Sequence, residues 1–265
     1  MNNETPILSK LQRQFIAGAA LVAPIAPMLV LQGQIIRWKV GLLPDAAGDA
    51  YGRTANAEAA GDAVDDAVDD AATLFVLGES TVAGLGARTH DLALAGRFAH
   101  SLGKQIGRSV EWKVLGKNGV TARRAIDELV PLMPDESFDY VLLGLGGNDV
   151  MRLSSPRKWR RDMLELIGIV REKSPNATIF VSNCPMIIYA PIMPEPTKSI
   201  LWRLSQMHDE NIREFSRQLD KVFYFPQPVD VPLEGFFADG LHPSEQGYAD
   251  WADAMVQHFI REGSL

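Results

Sequence analysis

The sequence predicts an α/β protein built on a parallel sheet, and two observations carry that reading. Short apolar runs at 73–77, 112–115, 140–145, 178–181 and 222–225 have the length and the β-branched or aromatic content of buried strands. Amphipathic stretches near 91–106, 121–131, 157–173 and 199–219 separate or follow them, and a last one spans 245–261. In that last stretch Tyr248, Trp251, Ala252, Met255, Val256 and Phe259 recur at helical spacing, and Ser244 stands where an N-cap belongs. Strands that alternate with helices form a parallel sheet covered on both faces. Ligands of such sheets sit at the carboxyl ends of the strands, so those ends are where chemistry is expected.

The chain divides into three regions. Residues 73–265 carry the strand–helix alternation. Residues 44–72 are rich in Ala, Gly and Asp, with a local duplication in GDAVDDAVDD and no apolar face, and read as a solvated acidic linker. They lack the loop pattern and closing Glu of a calcium-binding hand. Residues 1–43 contain an uncharged apolar run at 15–31, between Lys10 and Arg13 on one side and Arg37 and Lys39 on the other. That run is at the short edge of the membrane-spanning range, and Pro24 and Pro27 bend a helix there. Three readings stay open: a spanning or interfacial anchor, a cleaved signal sequence, and a helix packed on the domain. The basic flanks favour membrane association, with a soluble or exported protein as the alternative.

The 265 residues suffice for one α/β domain and an extension. A net charge of −7 without any basic stripe lacks the electrostatic footprint of a nucleic-acid binder. The single cysteine, Cys184, excludes an intrachain disulfide and a thiolate zinc cluster.

Four strand ends or their loops carry polar residues of a chemical kind. The first strand runs into Gly78-Glu79-Ser80-Thr81, which sets a hydroxyl at a strand-to-loop turn. It is not the G-x-S-x-G elbow, because position 82 is Val. The second leads to Asn118-Gly119-Val120-Thr121, where glycine admits close backbone approach. The third leads to Gly146-Gly147-Asn148-Asp149, which puts an amide near the same crevice and lacks the lysine of a phosphate loop. The last leads to Asp239-Gly240-Leu241-His242, where a carboxylate three residues before a histidine reaches Nδ1 and leaves Nε2 free to take a proton. Taken singly, each also reads as a turn, cap or surface residue. His90, His100, His208 and His258 read as surface or helix-face residues, and Cys184 as a small buried side chain.

Together, in this order, these blocks resemble the SGNH hydrolases, also called GDSL esterases and lipases, over residues 74–261. The resemblance implies a three-layer α/β/α sandwich with a five-stranded parallel sheet of flavodoxin-like type. It implies Ser80 as nucleophile, Asp239 and His242 as its partners, and an oxyanion hole formed by the Ser80 N–H, Gly119 and Asn148. It also implies hydrolysis of a small-molecule or lipid ester without metal or organic cofactor. An acyltransferase using the same triad, or a non-catalytic membrane-tethered module on the same fold, are the alternatives. One position departs from the family pattern: Glu79 stands where Asp is usual, beside the serine. A loop at 185–194, apolar and broken by prolines, is expected to wall an acyl pocket or to pack against the N-terminal segment.

Overall fold

The computed structural model describes residues 5–40, 43–55, 71–227 and 230–264. Its strands are β1 (Tyr51–Arg53), β2 (Ala72–Gly78), β3 (Val110–Gly116), β4 (Tyr140–Gly144), β5 (Thr178–Val181) and β6 (Val222–Tyr224). They form one sheet in the order β1-β3-β2-β4-β5-β6. β2 to β6 are the five parallel strands expected from the apolar runs. β1 is an addition: it pairs antiparallel with β3, Tyr51 opposite Lys113 and Arg53 opposite Glu111.

That edge strand corrects the reading of 44–72 as linker. The Val110 N–H donates to Thr54 Oγ1 at 2.9 Å, and the Ala46 N–H to Ala83 O at 2.9 Å. Residues 46–54 therefore belong to the folded domain, where they cover the otherwise open edge of β3. The aspartate duplication at 61–70 lies outside the described residues.

The helices are α1 (Pro6–Val22), α2 (Ala26–Val40), α3 (Leu94–Ile106), α4 (Ala122–Glu128), α5 (Gly147–Met151), α6 (Pro156–Lys173), α7 (Thr197–Ser216) and α8 (Glu245–Arg261). Their starts follow local capping chemistry. Thr5, Thr121, Ser155 and Ser244 accept hydrogen bonds from the N–H groups of Leu8, Arg124, Lys158 and Gly247, and Pro6 and Pro156 occupy first helical positions.

Alternation along the strands divides the core in two. Phe75, Leu77, Val141, Leu143, Ile179 and Val181 face Ile126, Trp159, Met163, Leu166, Ile212 and Phe215 of α4, α6 and α7. Leu74, Val76, Leu142 and Phe180 face Leu94, Phe98, Leu102, Met255 and Phe259 of α3 and α8. This is the three-layer arrangement, with Phe180 at the centre of the second layer. Its ring stacks on Phe259 at 4.4 Å and on Tyr140 at 6.0 Å between centroids. His208 departs from its surface reading: it is fully buried, 5.1 Å from the Trp159 ring, and burial pushes its pKa down to about 3.

A third apolar cluster joins the N-terminal helix to the domain. Leu11 and Ile36 pack with Ile187, Ala190 and Met193 of the proline-rich loop and with Leu201, Leu204 and Met207 of α7. Only the two ends of the helical segment make these contacts. Ile16, Leu21, Val30 and Leu31, between them, are exposed.

Phe180 is fully buried among four aromatic rings, so truncation leaves a cavity in a close-packed layer. Phe180→Ala is expected to lower unfolding free energy by about 3–5 kcal/mol, measured by denaturant titration. A loss below about 1 kcal/mol would mean that the layer repacks freely.

Candidate active site

Three neighbouring strands end in glycine at one level: Gly78 pairs with Gly116 on one side and Gly144 on the other. The chain after Gly78 folds back across these ends. A Cβ on Gly78 would lie 2.0 Å from Gly144 O, and one on Gly116 would lie 2.3 Å from the Ala83 nitrogen. The missing side chains let the turn sit on the sheet. Glu79 O accepts from the Val82 and Ala83 N–H groups at 2.9 Å each, and the Glu79 N–H donates to Gly144 O at 2.9 Å. Ser80 is thereby set above the central strand and is only 8% exposed. The strand order reverses here, since the parallel strands β3 and β4 flank β2 on opposite sides; this is the topological switch point of the sheet.

Glu79 reaches from this turn to the loop after β4. Its Oε1 accepts the Gly147 N–H at 2.7 Å, and its Oε2 accepts the Asn148 N–H at 2.8 Å and Asn148 Nδ2 at 2.5 Å. The amide of Asn148 is thus clamped by the residue adjacent to Ser80. Burial pushes the Glu79 pKa up to about 7, against the lowering effect of those donors, and nearby Asp149 pushes the same way as burial. This answers what the longer acid does at the departing position: its carboxylate joins two of the four motif blocks.

Asp149 makes a second tie. Fully buried, it accepts the Ala122 N–H at 2.8 Å and Ser154 Oγ at 3.1 Å. The N-terminus of α4, just after Gly119, is therefore held against α5. Gly119 has φ +80°, a conformation that favours glycine. Among the described residues, the Ser80 and Gly119 N–H groups have no hydrogen-bond partner.

The loop after β6 brings the histidine. Phe237 bridges Pro243, and the Ala238 N–H donates to His242 O at 2.8 Å, which closes a tight loop around 239–242. Asp239 Oδ1 accepts the Leu241 and His242 N–H groups at 2.9 and 2.7 Å, and Oδ2 lies 2.9 Å from His242 Nδ1. Burial opposes ionisation of Asp239 most strongly. The His242 ring and the two backbone donors together outweigh it and hold the carboxyl below its usual range. With Nδ1–H directed at Asp239, Nε2 is left as the basic nitrogen. The end of this loop packs on the continuation of the serine turn, where a Cβ on Gly86 would lie 2.2 Å from Pro243 O, and Tyr248 Oη of α8 donates to Leu85 O at 2.7 Å. Among the described residues no hydrogen bond joins Ser80 Oγ to His242. Such contacts commonly tighten only in a substrate complex.

A cavity of about 110 Å³ adjoins these blocks; its lining includes Glu79 and Thr81, the chain neighbours of Ser80, and Leu241 and Pro243, the chain neighbours of His242, but not Ser80 or His242 themselves. Its remaining wall is mostly apolar, from Met186, Ile187, Tyr189, Ala190, Leu233, Phe236 and Phe237. Ile187 and Ala190 also belong to the cluster that holds Leu11 and Ile36. One set of side chains therefore both walls a cavity and packs against the N-terminal segment. Cys184, beside it, is buried, and burial holds its thiol well above its ordinary range. Among the described residues no group of three or more His, Cys, Asp or Glu is placed to hold a metal ion.

The sequence missed the bridging role of Glu79. Its only local signal was an acid beside a serine, and its partners lie 68 and 69 residues away.

Known structures share this architecture at low identity. The Clostridium thermocellum family 3 carbohydrate esterase aligns with TM-score 0.55 and 19% identity, over 72% of this chain and 96% of that one. TesA aligns with TM-score 0.55 and 19% identity, over 73% and 99%. The lipase Lip_vut3, from a goat rumen metagenome, aligns with TM-score 0.54 and 13% identity, over 70% and 96%. A comparison with curated proteins finds no match. The model of the GDSL-like lipase/acylhydrolase family matches residues 76–249, which include all four motif blocks. The chain belongs to the GDSL-like lipase/acylhydrolase family of hydrolases.

Proposed function

We propose that this protein hydrolyses carboxylic esters through a Ser80–His242–Asp239 triad and an acyl-enzyme. The observation that carries the reading is the grip of Asp239 on His242: one oxygen meets the ring Nδ1 and the other meets two backbone N–H groups of the same loop. That arrangement orients the imidazole and stabilises its protonated form, the two tasks of the acid in a triad. Nε2 takes the proton of Ser80 as Oγ bonds to the ester carbon. The negative charge that develops on the carbonyl oxygen is received by the Ser80 and Gly119 N–H groups and by Asn148 Nδ2. Collapse breaks the carbon–oxygen bond to the alcohol, which leaves with the proton from His242. Water then attacks the acyl-serine, giving its proton to His242, and collapse returns that proton to Ser80 as the acid departs. The apolar cavity receives the acyl group, so an ester with a hydrocarbon acyl chain is the substrate class that fits it.

Glu79 serves this chemistry as a positioning residue. Asn148 Nδ2 carries two hydrogens; one is committed to Glu79 and the other remains for the oxyanion. The three groups that converge on Glu79 are all donors and favour its ionised, acceptor-only form.

Ser80→Ala is expected to lower kcat by at least about 10³-fold with the fold intact by circular dichroism. Unchanged turnover of a chromogenic ester would remove Ser80 from the mechanism.

Asn148→Ala is expected to lower kcat by about 10²–10³-fold, the loss for one oxyanion donor. A rise in KM with kcat unchanged would instead make Asn148 a ground-state contact.

Glu79→Gln places an amide N–H₂ among three donors and is expected to lower kcat with little change in KM. The wild-type protein loses the Glu79 anion as pH falls through about 7, whereas the variant has no such ionisation. The ratio of wild-type to variant kcat therefore rises with pH through that region. A ratio independent of pH between about 5 and 9 would leave Glu79 with a packing role only.

A further inference from the structure

From Gln14 to Ile36 the chain carries no charged residue. The helical unit Pro6–Lys39, 34 residues long, meets the length and apolarity of a membrane helix. At 1.5 Å per residue its contour length is about 50 Å, bent so that both ends meet the same side of the domain. Its two ends are both held by the catalytic domain. At the start, Leu8 and Leu11 are buried, Lys10 Nζ lies 3.0 Å from Glu210 Oε1, and Gln12 Oε1 accepts the Arg157 N–H at 3.2 Å. Near the other end, Ile36 is buried, Gln32 Nε2 donates to Glu195 O at 2.8 Å, and Thr197 Oγ1 donates to Gln32 Oε1 at 2.5 Å. Glu210 lies on α7, and Glu195 and Thr197 lie at its start.

Between these docks the helix stands clear of the protein. Leu21 is 78% exposed and Val30 61%, and a Cβ on Gly18 would meet nothing within 4 Å. Residues 23–28 are all exposed, which is more than one full turn, so every side of the helix faces outward there. A turn of 3-10 helix at Ala23–Ile25, with Pro24 and Pro27, interrupts the α-helical run at this point. A protein partner covers one face of a helix, whereas lipid covers all of them. The ends are also those of an interfacial segment: Arg13 precedes the apolar stretch, and Arg37, an 82% exposed Trp38 and Lys39 follow it. These bases complement anionic headgroups, which the remainder of an acidic chain does not.

We propose that residues 14–36 form a monotopic membrane-docking arch that dips into one leaflet while both its ends stay on the catalytic domain. A spanning helix delivers its ends to opposite sides of the bilayer, and that would break one of the two docks. The arch is the apolar partner of a lipid surface, and the opening of the domain toward ester substrate is a separate matter that this binding does not depend on.

The test uses the full chain and vesicles of phosphatidylcholine and phosphatidylglycerol. The protein is expected to float with vesicles and to remain bound in high salt, because the attachment is apolar. Leu21→Glu and Val30→Glu, both at exposed positions, are expected to reduce the bound fraction by at least ~10-fold each. Neither is expected to change turnover of a water-soluble short-chain ester. Arg13→Cys and Arg37→Cys, at the exposed flanks of the segment, are both expected to react with an impermeant maleimide added outside the vesicles; native Cys184 is buried and gives no background. Four outcomes would overturn the proposal: no vesicle binding, labelling of only one of the two cysteines, a dimer in solution that Leu21→Glu dissociates, or a mature chain that begins after residue 26.

Discussion

The carboxylate of Glu79 is the contact on which the strand-end face depends. It lies in the turn that carries Ser80, and its two oxygens hold the first residues of α5 and the Asn148 amide. Removing a carboxylate from water costs several kcal/mol, and three N–H donors offset much of that. The part not offset appears as a pKa pushed up to about 7. Asp149, one residue beyond Asn148, extends the same logic to α4 through the Ala122 N–H. Two buried acids therefore fix three loops relative to one another. Neither ionises as readily as a surface carboxylate: burial pushes Asp149 up to about 6 against its own hydrogen bonds, with a smaller push from Asp162, and Asp149 in turn adds to the burial that raises Glu79.

Close backbone packing makes this geometry possible. Gly78, Gly116 and Gly144 end their strands in register, so the serine turn lies directly on the sheet. The result is a rigid platform on one side of the cavity. The other side is a loop whose apolar side chains face two ways. Ile187 and Ala190 line the cavity and also touch the cluster that anchors the N-terminal helix. The shape of the cavity wall is consequently coupled to how Leu11 and Ile36 are seated, which joins the N-terminal segment to the cavity by apolar packing.

What the sequence determined by itself was whatever depends on neighbours along the chain. The five parallel strands were legible because a buried strand reads as a continuous apolar run. The last helix was legible from its spacing, and Ser244 from the cap it forms three residues ahead. The Asp239–His242 pair was legible for the same reason, since three residues and one tight loop suffice to bring Oδ2 to Nδ1. The four motif blocks were visible as blocks, and the family resemblance rested on them. Tertiary structure alone decided the rest. β1 has three residues, too few to show a period, and exists because β3 offers it an unpaired edge. His208 sits in a polar stretch of sequence yet is buried, because α7 turns that position toward Trp159. The apolar run at 15–31 looked the same as an anchor, a signal or a packed helix; only the two docks on α7 and its lead-in separate its held ends from its exposed middle. Glu79 and Asn148 meet because the sheet order sets β2 beside β4, and no local rule of spacing connects residues so far apart in the chain.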